Sequence, residues 1–312
     1  MSIISTKRVV FFTEPNWAFG SIHSSLCKIF YPHINGEILD FFKEYSIKEI
    51  QEIDSSTDLW VTNWPALLIN KYHVQPEKIA FLAHAQWDIL TTQRDLPKEI
   101  CQKLNRFGVI SESLRTCANA FFHGHFPKPH LTRLGIHWSR FASRGQECPV
   151  SQFKRIAVMG AYESYNVFGQ EIKRGNLVYE TVKEINDTYN IGLEFVTFPK
   201  AHYLTMPQRY TEVDCVVMAS TEEGGGLPML EAAAAGRLCI GTDVGYYAEV
   251  PYGLHLPTEK YEFKDALKQS LLHFANPNHF SELMNLCVEA EKAALEWDWS
   301  HRRQEWFDFL TA

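Results

Sequence analysis

Short apolar runs recur along the chain, and each is followed by a longer stretch in which apolar and polar positions mix with helical spacing. In the first half such runs predict strands at 8–12, 59–62, 79–83, 107–110 and 131–134. In the second half they predict strands at 155–158, 193–198, 215–219 and 238–241. Strands that alternate with helices make a parallel sheet covered on both faces, because a parallel crossover needs a helix-length connection. The stretch SRGQECPVSQ, 143–152, breaks the alternation with glycine, proline and small polar residues, so a linker is expected there. The pattern predicts two doubly wound α/β domains, at 1–148 and 149–295. A last helix, 296–312, would place Trp299, Arg303, Trp306, Phe307 and Leu310 on adjacent turns, with an aromatic face that needs a partner such as the first domain.

At 312 residues the chain exceeds the usual size of one core, which agrees with two domains. Hydrophobic residues make up 46% and charged residues 21%, the balance of an ordinary globular protein. A net charge of -7 argues against a nucleic-acid backbone as the main partner, since that calls for a concentrated basic face. The apolar run at the N-terminus is too short for a signal peptide, and nothing approaches the ~18 apolar residues of a spanning helix. Membrane contact is therefore expected to be peripheral at most. The seven cysteines are scattered without a zinc or redox pair, which fits a reducing, cytoplasmic setting.

One segment stands apart. TEEGGGLPMLEAAAAG, Thr221 to Gly236, places carboxylates and glycines between a strand and an alanine-rich helix. Pro228 suits the first helical position, and Gly236 suits the position just past the end. Glu223 then lies in the loop and Glu231 in the first turn. In an open α/β sheet, loops beyond the carboxyl ends of strands line the binding crevice. Backbone N–H groups of Gly225, Gly226 and Leu227 could hold a phosphate at the helix N-terminus, while carboxylates accept from ribose or sugar hydroxyls. A tight turn and the helix dipole would account for the same residues without a ligand. The glycines match neither a Walker A loop nor GxGxxG.

The stretch STEEGGGLPMLEAAAAGRLCIGTDVGYYAEV resembles the motif of the family 4 GT-B glycosyltransferases, in which two Glu separated by seven residues span a loop and the following helix. Glu223 and Glu231 are that pair here. YTEVDCVVMAS resembles the approach to the motif, and Glu249 sits in the acidic loop that follows it. In the first half, LGIHWSRF, FGVISESL and IAFLAHAQWD resemble further family segments, the last ending a strand in His84. The resemblance runs from about residue 79 onward.

The family implies two Rossmann-like domains facing a cleft, a UDP- or GDP-sugar donor on the second domain, and a glycan or glycoconjugate acceptor on the first. It implies transfer with retention of configuration and no metal or other cofactor. Glu223 and His84 would be catalytic; Glu231 would hold the ribose; Arg174 and Lys173 would meet the diphosphate; Gly225, Gly226, Leu227 and Gly20 would shape the donor site. The chain departs from the pattern where Ala161 follows Gly160 in place of an arginine, where Gly225 replaces an aromatic, and where Gly20 stands without a second glycine. One cation fewer weakens stabilisation of the leaving diphosphate. An inactive nucleotide-sugar-binding scaffold or activator of a partner enzyme is thus the alternative, with a phosphorylase on the same architecture behind it.

Two further sets of residues invite other readings. His123, His125 and His130 lie close together but have no Cys or carboxylate at ligand spacing, so a solvated loop and no metal are expected. Trp17, Trp60, Trp64, Trp87 and Trp138 fall near predicted strand ends, where core or interface packing accounts for most of them.

Overall fold

A computed structural model describes residues 6–15, 18–147, 150–158, 164–165, 169–198 and 203–311, without the side chains of 18, 19, 21, 143–145 and 147. The chain divides into two units, residues 1–134 with 302–312, and 135–301.

The first unit is built on six parallel strands: β1 (Lys7–Thr13), β2 (Ile34–Asp40), β3 (Leu59–Thr62), β4 (Ile79–Ala83), β5 (Arg106–Val109) and β6 (Pro129–Leu131), in the order β2-β1-β3-β4-β5-β6. The second has five: β7 (Arg155–Val158), β8 (Glu194–Val196), β9 (Cys215–Met218), β10 (Leu238–Thr242) and β11 (Leu254–Leu256), in the order β11-β10-β9-β7-β8. All pairs are parallel. In each sheet the chain goes one way from its first strand and then the other, so strand order reverses between β1 and β3 and again between β7 and β9. Such reversal points are where open α/β sheets bind ligands, because the loops there part and leave a crevice at the carboxyl ends.

The central strands are the ones the hydrophobic runs predict. β3, β4, β9 and β10 are buried at every position, so each reads as an unbroken apolar segment. The edges differ. β2 and β11 are not predicted, and β6 lies at Pro129–Leu131 where the pattern predicts 131–134. An edge strand pairs on one side only and stays half solvated; β2, INGEILD, accordingly carries Asn, Gly, Glu and Asp yet pairs with β1 over seven residues. Among the described residues no helix is long and apolar enough to cross a membrane.

The unit division falls at Leu134 and Gly135 rather than in the 143–152 stretch. The helix Trp138–Glu147 fastens to the second unit: Trp138 Nε1 donates to the Glu291 carbonyl at 2.9 Å, and the Phe141 ring meets Tyr210. Packing of this helix sets the boundary, and the first half of the polar stretch lies within the helix.

The last helix, Trp299–Thr311, belongs to the first unit from Arg302 onward. There Trp306, Phe309 and Leu310 are fully buried. Trp306 Nε1 donates to the Arg133 carbonyl at 2.8 Å, Arg133 pairs with Glu305 at 2.9 Å, and Lys7 Nζ reaches the Thr311 carbonyl at 2.6 Å. Removing so large a buried ring leaves a cavity and takes away its hydrogen bond to the Arg133 carbonyl, so Trp306→Ala should destabilise the protein by about 3–5 kcal/mol. A denaturation midpoint unchanged from wild type would show that the helix end is not part of the core.

Candidate functional site

The site in the second unit grows from the carboxyl end of β9, beside the reversal point. After Met218 the chain passes through Ala219 and the buried Ser220 into the glycine loop. Glu223 curls back so that its Oε1 accepts from Ser220 Oγ at 2.8 Å and pairs with Lys173 Nζ. Both partners of the ion pair are largely shielded, Lys173 at 20% and Glu223 at 11% side-chain exposure, so solvent screens the attraction little. The loop that carries Lys173 is tied to the glycine loop by the Thr221 N–H donating to the Ile172 carbonyl at 2.9 Å. On the other side the Tyr246 N–H donates to Gly225 O at 2.7 Å. Gly245 makes that approach: at φ +56° a Cβ would sit 2.6 Å from Gly225 O and 2.9 Å from the Glu223 Cβ.

Gly226, at φ +89°, turns the chain into the helix Leu227–Ala234, with Pro228 in its first turn and Gly236 just past its end at φ +65°. Because the helix begins at Leu227, Glu231 falls in the second turn, not the first. Met229, Leu230 and the alanines around it are buried, so small side chains let this helix pack closely, and Glu231 is carried inside with them. It is 4% exposed, and its Oε2 accepts from the Tyr210 hydroxyl at 2.9 Å. Burial pushes its carboxyl up to about 7, opposed by the Tyr210 hydrogen bond and by Arg140. Arg140 lies over the Tyr203 ring at 4.9 Å. Tyr210 opens the YTEVDCVVMAS segment that resembles the approach to the motif, but its pairing with Glu231 is decided only when that segment and the helix pack together.

The two basic candidates part company. Lys173 points its ammonium at Glu223, whereas Arg174, at φ +50°, is 4% exposed. Its Nε donates to the Ala219 carbonyl and its Nη1 to the Thr258 carbonyl at 2.8 Å, while the guanidinium stacks over Phe263. Gly160 and Ala161 lie outside the described residues.

In the first unit, His84 follows β4 directly and is 5% exposed. Its backbone N–H and that of Ala85 donate to Asp88 Oδ2 at 2.8 and 3.0 Å, which fixes the turn. Burial drives the Asp88 carboxyl up to about 6 and holds the His84 imidazole well below its ordinary value. His23, which the sequence reading passed over, lies 6.1 Å from the His84 ring and stacks on Phe11 at 4.7 Å; burial drops it to about 3. Gly20 is buried against Pro15, whose carbonyl oxygen would lie 2.1 Å from an added Cβ, so only glycine closes the turn after β1. Of the tryptophans, Trp60 is core, Trp64 and Trp87 are partly exposed at 39% and 42%, and Trp17 lies outside the described residues. His130 sits in β6 against Phe309, and His125 meets Gln93 at 3.4 Å.

Two parallel sheets of this order, covered by helices, have the fold of the GT-B glycosyltransferases. Residues 154–273 match the family described as Glycosyl transferases group 1. A comparison with curated proteins finds no match. Among solved structures, Anabaena HepE in complex with UDP and glucose superposes with a TM-score of 0.67 at 12% identity, over 98% of this chain and 100% of that one. Sucrose-phosphate synthase from Thermosynechococcus elongatus gives 0.64 at 11%, over 97% and 98%. Staphylococcus aureus TarM, in complex with UDP among other ligands, gives 0.62 at 14% over 85% of this chain, which spans 58% of the TarM chain. At such identities the likeness is one of fold.

Proposed function

We propose that the protein is a retaining glycosyltransferase that moves a sugar from a nucleoside-diphosphate sugar to a glycan, glycoconjugate or protein acceptor. The observation that carries this reading is the placement of Glu223 and Glu231 at the β9 loop, beside the reversal point of a sheet whose sequence matches the group 1 family. HepE and TarM, with UDP in their structures, support a nucleotide-sugar donor, and UDP is the first nucleotide to try.

The residues take the following parts in that reading. Lys173 exchanges its partner Glu223 for the donor diphosphate, and backbone N–H groups of Gly225, Gly226 and Leu227 add donors there. Glu231 accepts from the ribose hydroxyls, and Glu223, released from Lys173, faces the sugar near its reacting carbon. When the bond from that carbon to the diphosphate breaks, charge grows on the leaving oxygen, and the ammonium and backbone dipoles stabilise it without a metal or other cofactor. Arg174 gives its Nε and Nη1 to two backbone carbonyls, and its buried Nη2, without a partner among the described residues, is left to join Lys173 at the diphosphate. His84 stands as a neutral imidazole on the acceptor-side unit. Contact with a membrane, if the acceptor is lipid-linked, would be peripheral, and a cytoplasmic setting fits the scattered cysteines.

Thermal unfolding against UDP, GDP, ADP and their sugar conjugates tests the reading, because a ligand at 100 times its Kd stabilises the folded state by about 2.7 kcal/mol. A shift with one nucleotide, absent in Glu231→Ala, is the expected result. A folded protein that shifts with none of them overturns the donor assignment. Donor binding without any transfer or donor hydrolysis would instead identify the scaffold or activator, the alternative raised by Ala161 standing where an arginine is expected.

A further inference from the structure

The helix Lys260–Ala275 and the helix Phe280–Ala294 meet at a corner that the donor site does not use. The corner is stiff. Asn276 accepts through its side chain from the Asn278 N–H at 3.0 Å, Pro277 opens a 3-10 turn, and the Phe280 N–H closes on the Pro277 carbonyl. His273 lies in the last turn of the first helix, His279 at the end of the connecting turn, and Glu282 in the first turn of the second helix. Phe274 and Leu283, their immediate neighbours, are 4% and 0% exposed in the core, so the backbone positions of His273 and Glu282 are held by packing.

Their polar atoms converge. His273 Nε2 lies 2.8 Å and His279 Nδ1 3.4 Å from the same oxygen, Glu282 Oε2. The two imidazoles stack with centroids 3.7 Å apart at 30°, and one ligand atom from each of the three residues lies within 4.8 Å of the others. Zn–N bonds of about 2.0–2.1 Å put neighbouring ligand atoms roughly 3.4 Å apart in a tetrahedral shell, close to the spacing found here; because an imidazole lone pair lies in its ring plane, the two stacked rings turn about their side-chain torsions to aim at one ion. One carboxylate with two neutral imidazoles offers a single negative charge, and nitrogen donors favour zinc-class ions over calcium or magnesium. Side-chain exposures of 38%, 37% and 54% leave room for water to complete the shell.

We propose that His273, His279 and Glu282 form a divalent transition-metal site, zinc being the ion it fits, which pins the two helices at their corner. His273 coordinates through Nε2, His279 through Nδ1 and Glu282 through a carboxylate oxygen. Helix rise places His273 about 20 Å from the helix end that adjoins Arg174 and Thr258, so the ion takes no part in sugar transfer. The site stands independently of the function proposed above.

The test uses untagged full-length protein freed of metal with a chelator and titrated with Zn2+ by calorimetry, and with Co2+ by visible absorption. One ion per chain, a raised Tm and a nitrogen-ligand cobalt spectrum are expected. The double variant His273→Ala, His279→Ala should bind Zn2+ at least about tenfold more weakly and lose the Tm rise. Glu282→Gln should weaken binding while keeping the corner's shape, and His301→Ala, which removes an imidazole near Glu296, should change nothing. Wild-type protein that binds no stoichiometric Zn2+ overturns the proposal. So does equal binding by the double variant, or by Glu282→Gln should the double variant not fold.

Discussion

Glu223→Gln should lower turnover by two to three orders of magnitude, the scale on which one charge-stabilising group acts at a reacting centre, while nucleotide affinity stays within a few-fold of wild type. The substitution keeps the shape and the Ser220 hydrogen bond but removes the negative charge that Lys173 faces in the shielded loop. Turnover is read as nucleoside diphosphate released from the sugar donor, with glycan or water as acceptor. The change also frees Lys173, so diphosphate binding should be equal or slightly tighter in the variant. A turnover equal to wild type would remove Glu223 from the reacting centre. A parallel collapse of nucleotide affinity would place it in binding instead.

A second large effect is expected at Glu231. An acid whose folded-state value lies above its unfolded one binds more protons when folded, so stability falls as pH rises between the two values. For Glu231 that window runs from the ordinary 4.5 to about 7, and at roughly 1.4 kcal/mol for each unit the ceiling on the loss is on the order of 3 kcal/mol. Glu231→Gln removes the charge and keeps an acceptor for the Tyr210 hydroxyl. The variant should therefore match wild type below the window and exceed it in stability by up to that amount above pH 7. Denaturant midpoints from pH 4.5 to 8.5 check this; a stability difference that does not grow with pH would show that the carboxylate is solvated.

The same residue should give the opposite result in binding. If the ionised carboxylate accepts from the ribose hydroxyls, nucleotide affinity of the wild type rises as pH passes through 7, whereas the Gln variant binds about 10- to 100-fold more weakly with a flat profile. Stability lost and affinity gained over one pH range would mark a group held ready at a cost to the fold. Affinity indifferent to pH in both proteins would assign the Tyr210–Glu231 pair to structure alone.

Much of the fold was legible because central parallel strands are buried on both faces. β3, β4 and β7 begin and end where their apolar runs do, and β9 and β10 depart by one residue. β2, β6 and β11 were missed or displaced because edges carry polar residues, and pairing with a neighbour rather than local hydrophobicity makes them strands. The helix Trp138–Glu147 shows the same limit at domain scale: its composition does not tell which core it joins, and the contacts of Trp138 and Phe141 do.

For the candidate site, the local pattern of glycines, Pro228 and two carboxylates marked the loop-to-helix junction, which depends on neighbours in the chain, and the family resemblance gave Glu223 and Glu231 their expected roles. Positive φ at Gly226 and Gly236 follows from the same local geometry. What only the tertiary structure decided is which groups meet: Lys173 rather than Arg174 at Glu223, Tyr210 at Glu231, Gly245 beneath Gly225, His23 beside His84. Each of these joins segments far apart in sequence. Charge and hydrogen-bond partners are chosen by distance after packing, and local patterning holds no record of that distance.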